Sequence, residues 1–173
     1  AVVISLIVGV IFGSQFNANW SEILLMFNAQ SFGTTDPQFG LDNGFYVFVL
    51  PGLKLVLAAV AMLLGVGLVF SVVTHVLMGG IRITMPVNGR GLFSITKRSR
   101  RQLGIWLMLN MFAWAVRQMI GVFDQLTVQG SRITGASYTA VHANIPVTFI
   151  MAVLTAILGV VLGIWLMRSH TLE

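Results

Sequence analysis

Residues 51–80 read PGLKLVLAAVAMLLGVGLVFSVVTHVLMGG, and no charged side chain stands between Lys54 and Arg82. A helix needs about 20 apolar residues to cross about 30 Å of hydrocarbon. This run is long enough to cross with tilt, and Pro51 suits a first helical turn, where its missing N–H costs nothing. The rest of the chain fits the same solvent. It is 57% hydrophobic and 9% charged, with a mean hydropathy of +0.91, whereas a water-soluble domain keeps about 25% charged residues to cover its surface. The composition therefore predicts an all-α polytopic transmembrane helix bundle.

Three further apolar runs complete it. Residues 1–13 form a short run, read as the end of a truncated span; residues 103–123 and 146–167 are each long enough to cross, the latter without a charge and opened by Pro146. The expected layout is one transmembrane domain over residues 1–171, with spans near 1–13, 51–79, 103–123 and 146–167. Segments 14–50 and 124–145 join them on one side and loop 80–102 on the other. The terminal Leu172-Glu173 reads as a cloning scar and is left out of functional reasoning.

Orientation comes from the basic residues. Arg82, Arg90, Lys97, Arg98, Arg100 and Arg101 all fall in loop 80–102, which has no acidic residue, while segment 14–50 holds Glu22, Asp36 and Asp42 and no Lys or Arg. Short loops rich in Lys and Arg stay cytoplasmic, so 14–50 and 124–145 are expected outside. The net charge of +5 is then a topological anchor that also touches anionic lipid headgroups. It is no nucleic-acid footprint, because nothing around KRSRR offers a groove-reading helix or a stacking surface.

The outer segments carry the polar detail. Phe16, Trp20, Ile23, Leu24 and Phe27 recur at spacings of three and four, an amphipathic stripe too short and polar to span. It predicts either a helix lying in the outer membrane interface or a loop helix packing that stripe on its own bundle. Further on, Asp36-Pro37 and Asn43-Gly44 are turn formers, and Phe45, Tyr46 and Phe48 suit an interfacial aromatic belt.

Lys54 and Arg117 lie inside apolar runs. Such charges either snorkel to water or find partners. Asp124, seven residues beyond Arg117, is the first expected partner, with Asp42 and Asp36 next, giving an outer polar cluster of Asp36, Asp42, Lys54, Arg117 and Asp124.

No residue pattern names an activity. There is no cysteine, and His75, His142 and His170 have no metal-ligand spacing. Phosphate-loop, dinucleotide and nucleophile-elbow motifs are missing, so no cofactor, metal or catalytic residue is assigned. Small residues repeat every fourth position at Ser5, Gly9 and Gly13, at Ala61 and Gly65, and at Gly159 and Gly163, which suits bundle packing at least as well as a homo-oligomer seam.

The order DPQFGLDNGFYVFVLP (36–51), then VTHVLMGGIRI (73–83), then GASYTAVHANIP (135–146) resembles the bacterial multi-pass membrane proteins of uncharacterised protein family 0182. That resemblance implies a plasma-membrane location, further helices, and a large extracytoplasmic domain in a longer chain. It implies no activity. Two functions remain open from the residues: a structural or anchoring membrane module, and a transporter or channel-like component with a charged outer entrance. An intramembrane enzyme is a distant third. Spans 51–79 and 146–167 lack polar groups at mid-depth, which favours the module.

Overall fold

The computed structural model describes residues 9–10, 13–14, 16–83, 93–127 and 136–168. Its elements are a short helix α1 (Trp20–Phe27), a long helix α2 (Leu50–Leu77), a two-stranded hairpin of β1 (Ile81–Ile83) and β2 (Phe93–Ile95), and two more long helices, α3 (Lys97–Gly121) and α4 (Ile145–Arg168). With their flanking turns the long helices run Phe45–Leu77, Lys97–Leu126 and Ala140–Arg168, and all three are long and apolar enough to cross a membrane. Most of the short run 1–13, with Ser5, lies outside the described residues, as do Arg90, His170 and the terminal pair.

Each long helix begins earlier than the apolar pattern predicts. Two of them open with a single wide turn, Phe45–Val49 and Ala140–Asn144, in which Leu50 N–H donates to the Phe45 carbonyl and Ile145 N–H to the Ala140 carbonyl. Each wide turn ends two residues before a proline, Pro51 and Pro146. A proline ring clashes with the carbonyl four residues back and cannot donate to it. Widening the turn moves that carbonyl aside, so the helix continues through the proline where the sequence pattern placed its start.

Helix α3 begins inside the basic loop. Residues 97–101 are the first turns of α3, with Thr96 at the N-cap position, its Oγ1 accepting from Ser99 N–H at 3.4 Å. Residues 81–83 and 93–95 pair antiparallel, Arg82 opposite Ser94. The end of α2 shows why two glycines stand at 79 and 80. Gly79 has φ of +71°, its N–H donates to Val76 and Gly80 N–H donates to the His75 carbonyl at 2.7 Å, the double closure that needs a left-handed residue. At Gly80 the reason is space, since a Cβ there would collide with Ser99 Oγ and lie 3.1 Å from His75 Nδ1.

The chain divides into two compact units, residues 1–59 with 119–146 and residues 60–118 with 147–173. In the first, Phe123 is ringed edge-on by Phe39 at 5.0 Å, Phe45 at 5.5 Å and Tyr46 at 6.5 Å, and Leu50, Val122, Ala140 and Ile145 are buried. Edge-to-face rings at this spacing add to what their burial contributes.

In the second unit α3 lies against both neighbours. Asn110 Nδ2 donates to the Leu64 carbonyl of α2 at 3.0 Å and to its own Trp106 carbonyl at 2.9 Å, and Gly67 makes room for the Trp106 ring. On the α4 side, Gln118 Nε2 donates to Thr155 Oγ1 at 3.2 Å. Gly104 and Gly163 meet there. A Cβ on Gly104 would lie 2.9 Å from the Gly163 carbonyl oxygen, and one on Gly163 would lie 3.0 Å from that of Gly104. With lipid as apolar as leucine, such close backbone approach and interhelical hydrogen bonds are what hold membrane helices together.

Candidate functional site

Asp36 and Asp42 fold segment 28–46 on itself. Asp36 accepts from the N–H groups of Gln38 at 2.7 Å, Phe39 at 2.8 Å and Leu41 at 3.2 Å, and from the Tyr46 hydroxyl at 2.7 Å. Asp42 accepts from the Ser31 hydroxyl and from the N–H groups of Phe32 at 3.0 Å, Gly33 at 3.2 Å and Gly44 at 2.6 Å. Asp side chains do this where the chain reverses, because a short carboxylate reaches amides two or three residues on. The two aspartates are turn organisers. Their expected pairing with Lys54 or Arg117 is replaced by backbone hydrogen bonds, a signal readable in the Asp-Pro and Asp-Asn-Gly spacing.

The carboxyl of Asp42 is held low, at about 2, first by the Ser31 hydroxyl and then by the Phe32 and Gly44 amides. Around Asp36 partial burial pushes upward, but the Phe39 amide, the Tyr46 hydroxyl and the Gln38 and Leu41 amides together outweigh it, and the net direction is down. A depressed folded-state value means that the stabilisation is full above the ordinary 3.8 and is lost as pH falls towards about 2. Hydrogen-exchange protection of the Phe32, Gly33 and Gly44 amides is therefore expected to hold at pH 5 and to collapse across that window. Asp42→Asn should show weak protection at every pH. Equal protection in variant and parent would show that the carboxylate does not organise this turn.

Among the described residues the one ion pair is Lys54 with Asp124, Nζ to Oδ2 2.8 Å and to Oδ1 2.9 Å, with side chains 48% and 35% exposed. Asp124 thus takes Lys54, and the guanidinium of Arg117 instead lies 5.7 Å from the Trp114 ring centroid. The physical reason is local: α3 ends at Gly121 and Asp124 sits in a tighter turn, Phe123–Leu126. A two-turn spacing counted along an α-helix does not apply there. A pair this exposed contributes about 0.2–1 kcal/mol. Lys54→Met should accordingly move detergent-state stability by less than about 1 kcal/mol, and a larger loss on thermal unfolding would show that the pair is desolvated.

Helix α1 carries its apolar stripe outward. Trp20 and Phe27 are 60% and 78% exposed and Leu24 is exposed as well, while Glu22, Ile23 and Met26 are half-buried. Gly52 is the contact point, where a Cβ would meet the Glu22 carbonyl and Met26 Cβ at 2.9 Å. Of the two placements expected for this stripe, the described residues do not pack Trp20, Leu24 or Phe27 against themselves, and Phe16 is half-buried.

A second polar cluster, unexpected from the sequence, joins the end of α2 to the start of α3. His75 Nδ1 lies 3.0 Å from Ser99 Oγ and its Nε2 3.2 Å from Gln102 Oε1, and Ser99 Oγ also lies 2.8 Å from Thr96 Oγ1. A Ser-His contact suggests a nucleophile and base. Here the hydroxyl is 1% exposed and its histidine is backed by an amide, so the arrangement works as a clasp. Arg100 beside it is 2% exposed. Lys97, Arg98 and Arg101 are exposed, as is Arg82, whose Nε donates to the Gly79 carbonyl at 3.2 Å. Among the described residues no three His, Cys, Asp or Glu side chains converge on a metal-sized site.

The model of uncharacterised protein family UPF0182 matches residues 1–172. The chain belongs to UPF0182. A UPF0182 protein of Bifidobacterium longum is 99% identical over 173 residues, one of Bifidobacterium adolescentis 79% identical over the same length, and one of Corynebacterium efficiens 32% identical over 163 residues. The chain spans 16% of the length of each of these UPF0182 relatives. No solved structure matches it.

Proposed function

We propose that this part of the UPF0182 protein is a membrane-anchoring module, a multi-pass helical unit in the bacterial plasma membrane that holds the remainder of a longer envelope protein. The observation that carries the reading is charge segregation on long apolar helices. Three helices are long and apolar enough to cross a bilayer, and five of the eight described Lys and Arg residues, Arg82, Lys97, Arg98, Arg100 and Arg101, stand at one junction, where α2 gives way to α3. The positive-inside rule then puts that junction in the cytoplasm beside anionic headgroups, and segments 14–50 and 124–145 outside. On this reading the exposed Trp20, Leu24 and Phe27 lie in the outer interface, and no catalytic role falls to any residue.

A transporter or channel-like component is the second reading, favoured by the polar side chains Asn110, Arg117 and Gln118 within α3. Two of those three are committed to interhelical hydrogen bonds, which favours the anchor. The test is a fusion of this chain to a soluble reporter, with the same protein reconstituted into vesicles. The anchor reading expects the reporter to remain in the membrane pellet after alkaline carbonate washing and vesicle leakage no faster than in empty controls. Release of the reporter, or solute flux abolished by Arg117→Leu, would contradict it.

A further inference from the structure

On α3, Leu103, Asn110 and Arg117 stand seven residues apart, and Ala113 and Trp114 fill the turn between the last two. Seven residues are nearly two helical turns, with a drift of about 20°. The three therefore share one face. That face is packed along most of its length: Leu103 and Ala113 are buried, and Asn110 is 8% exposed with its amide on the Leu64 carbonyl. Beyond Ala113 the cover on this face stops. Trp114 is 51% exposed and Arg117 is exposed as well.

The arginine is turned the wrong way for snorkelling. It lies four residues before the end of α3 at Gly121, and side chains on a helix lean towards its N-terminus. Its guanidinium rests over Trp114, one turn nearer the middle of the helix. A lone arginine escaping hydrocarbon would reach for the nearer end. Charged groups within a span almost always face a packed interior or a water-filled path, with partners. Among the described residues no carboxylate pairs with it: the sequence has no Asp or Glu between Asp42 and Asp124, and Asp124 is held by Lys54.

We propose that the Trp114–Arg117 face of α3 is the docking site for another membrane-spanning segment of the longer UPF0182 polypeptide, one that presents a carboxylate to Arg117. Charge complementarity identifies the chemistry, because a guanidinium lying over an indole, here 5.7 Å from its centroid, still has N–H donors to offer a carboxylate. Length identifies the source, because the relatives extend far beyond the 16% that this chain covers. The inference rests on the reading that α3 crosses a membrane.

The test uses the full-length Bifidobacterium longum relative in native membranes, with a photo-crosslinking benzoylphenylalanine at Trp114 and, as the opposite-face control, at Phe112. Two residues on a helix stand about 200° apart. The Trp114 probe is expected to join a segment outside residues 1–173 within a turn or two of an Asp or Glu, and the Phe112 probe to label lipid. Arg117→Glu should lower the yield of folded protein at least several-fold, and replacing the located carboxylate by Lys should restore it. Trp114 adducts only with lipid, only within this region, or with a second copy would overturn the proposal. So would modification of Arg117→Cys by an impermeant thiol reagent in intact cells, the mark of a water-filled path. Leu109→Cys, at mid-helix, separates the two readings: its labelling would mean that α3 does not cross the membrane at all.

Discussion

Gly104→Leu is expected to separate α3 from α4 and to lower the stability of the detergent-solubilised protein by about 3 kcal/mol, the upper part of the usual range for overpacking. The added Cβ alone would stand 2.9 Å from the Gly163 carbonyl oxygen and 2.7 Å from Met167 Cγ. Met167 is flexible and can move; the carbonyl is fixed in a helix and cannot. Relief requires the helices to part, which forfeits dispersion contacts along their length. Gly163→Ala meets the same limit from the other side, at 3.0 Å from the Gly104 oxygen. The double variant Gly104→Ala with Gly163→Ala should cost less than the sum of the singles, since one separation accommodates both. Thermal unfolding in detergent reads all three, and a Gly104→Leu protein as stable as its parent would mean that the close approach does not hold this pair together.

Asn110→Asp should be nearly as damaging. The buried amide donates to two carbonyl oxygens, of Leu64 and of Trp106, and an ionised carboxylate in its place would donate nothing and repel both. Leaving a charged group buried and unsatisfied costs about 3 kcal/mol. Asn110→Leu loses both of those hydrogen bonds but buries no charge, a cost of about 1 kcal/mol. The ratio of the two effects in the same unfolding assay is the informative quantity. If leucine proves as harmful as aspartate, the site depends on side-chain shape and the donor role is unsupported.

The long apolar runs made the helical class and three helices long and apolar enough to cross a membrane readable, because nothing else in the sequence can keep 20 or more residues out of water. The starts were not. Pattern placed them at 51, 103 and 146, and the helices with their opening turns begin at Phe45, Lys97 and Ala140. A helix is set by backbone hydrogen bonding and continues through aromatic and basic flanks that hydrophobicity alone treats as loop. The carboxylates Asp36, Asp42 and Asp124 show a different failure. Counting two turns from Arg117 to Asp124 presumed unbroken helix, whereas α3 stops at Gly121. For Asp36 and Asp42, charge drew attention from the nearer partners, the amides of their own turns. The His75–Ser99 clasp depends on how two helix ends meet across a hairpin, and no local spacing encodes that.

As a membrane-anchoring module, these helices would cross the membrane with the α2–α3 junction in the cytoplasm. The chain contains no cysteine, so single cysteines can be read one at a time in intact cells with an impermeant thiol reagent. Ser94→Cys, in β2, should be protected until the cells are opened, and Thr35→Cys and Ser137→Cys should react at once. Immediate labelling at Ser94 with protection at Thr35 and Ser137 would reverse the orientation, and immediate labelling at all three would contradict a membrane-crossing module.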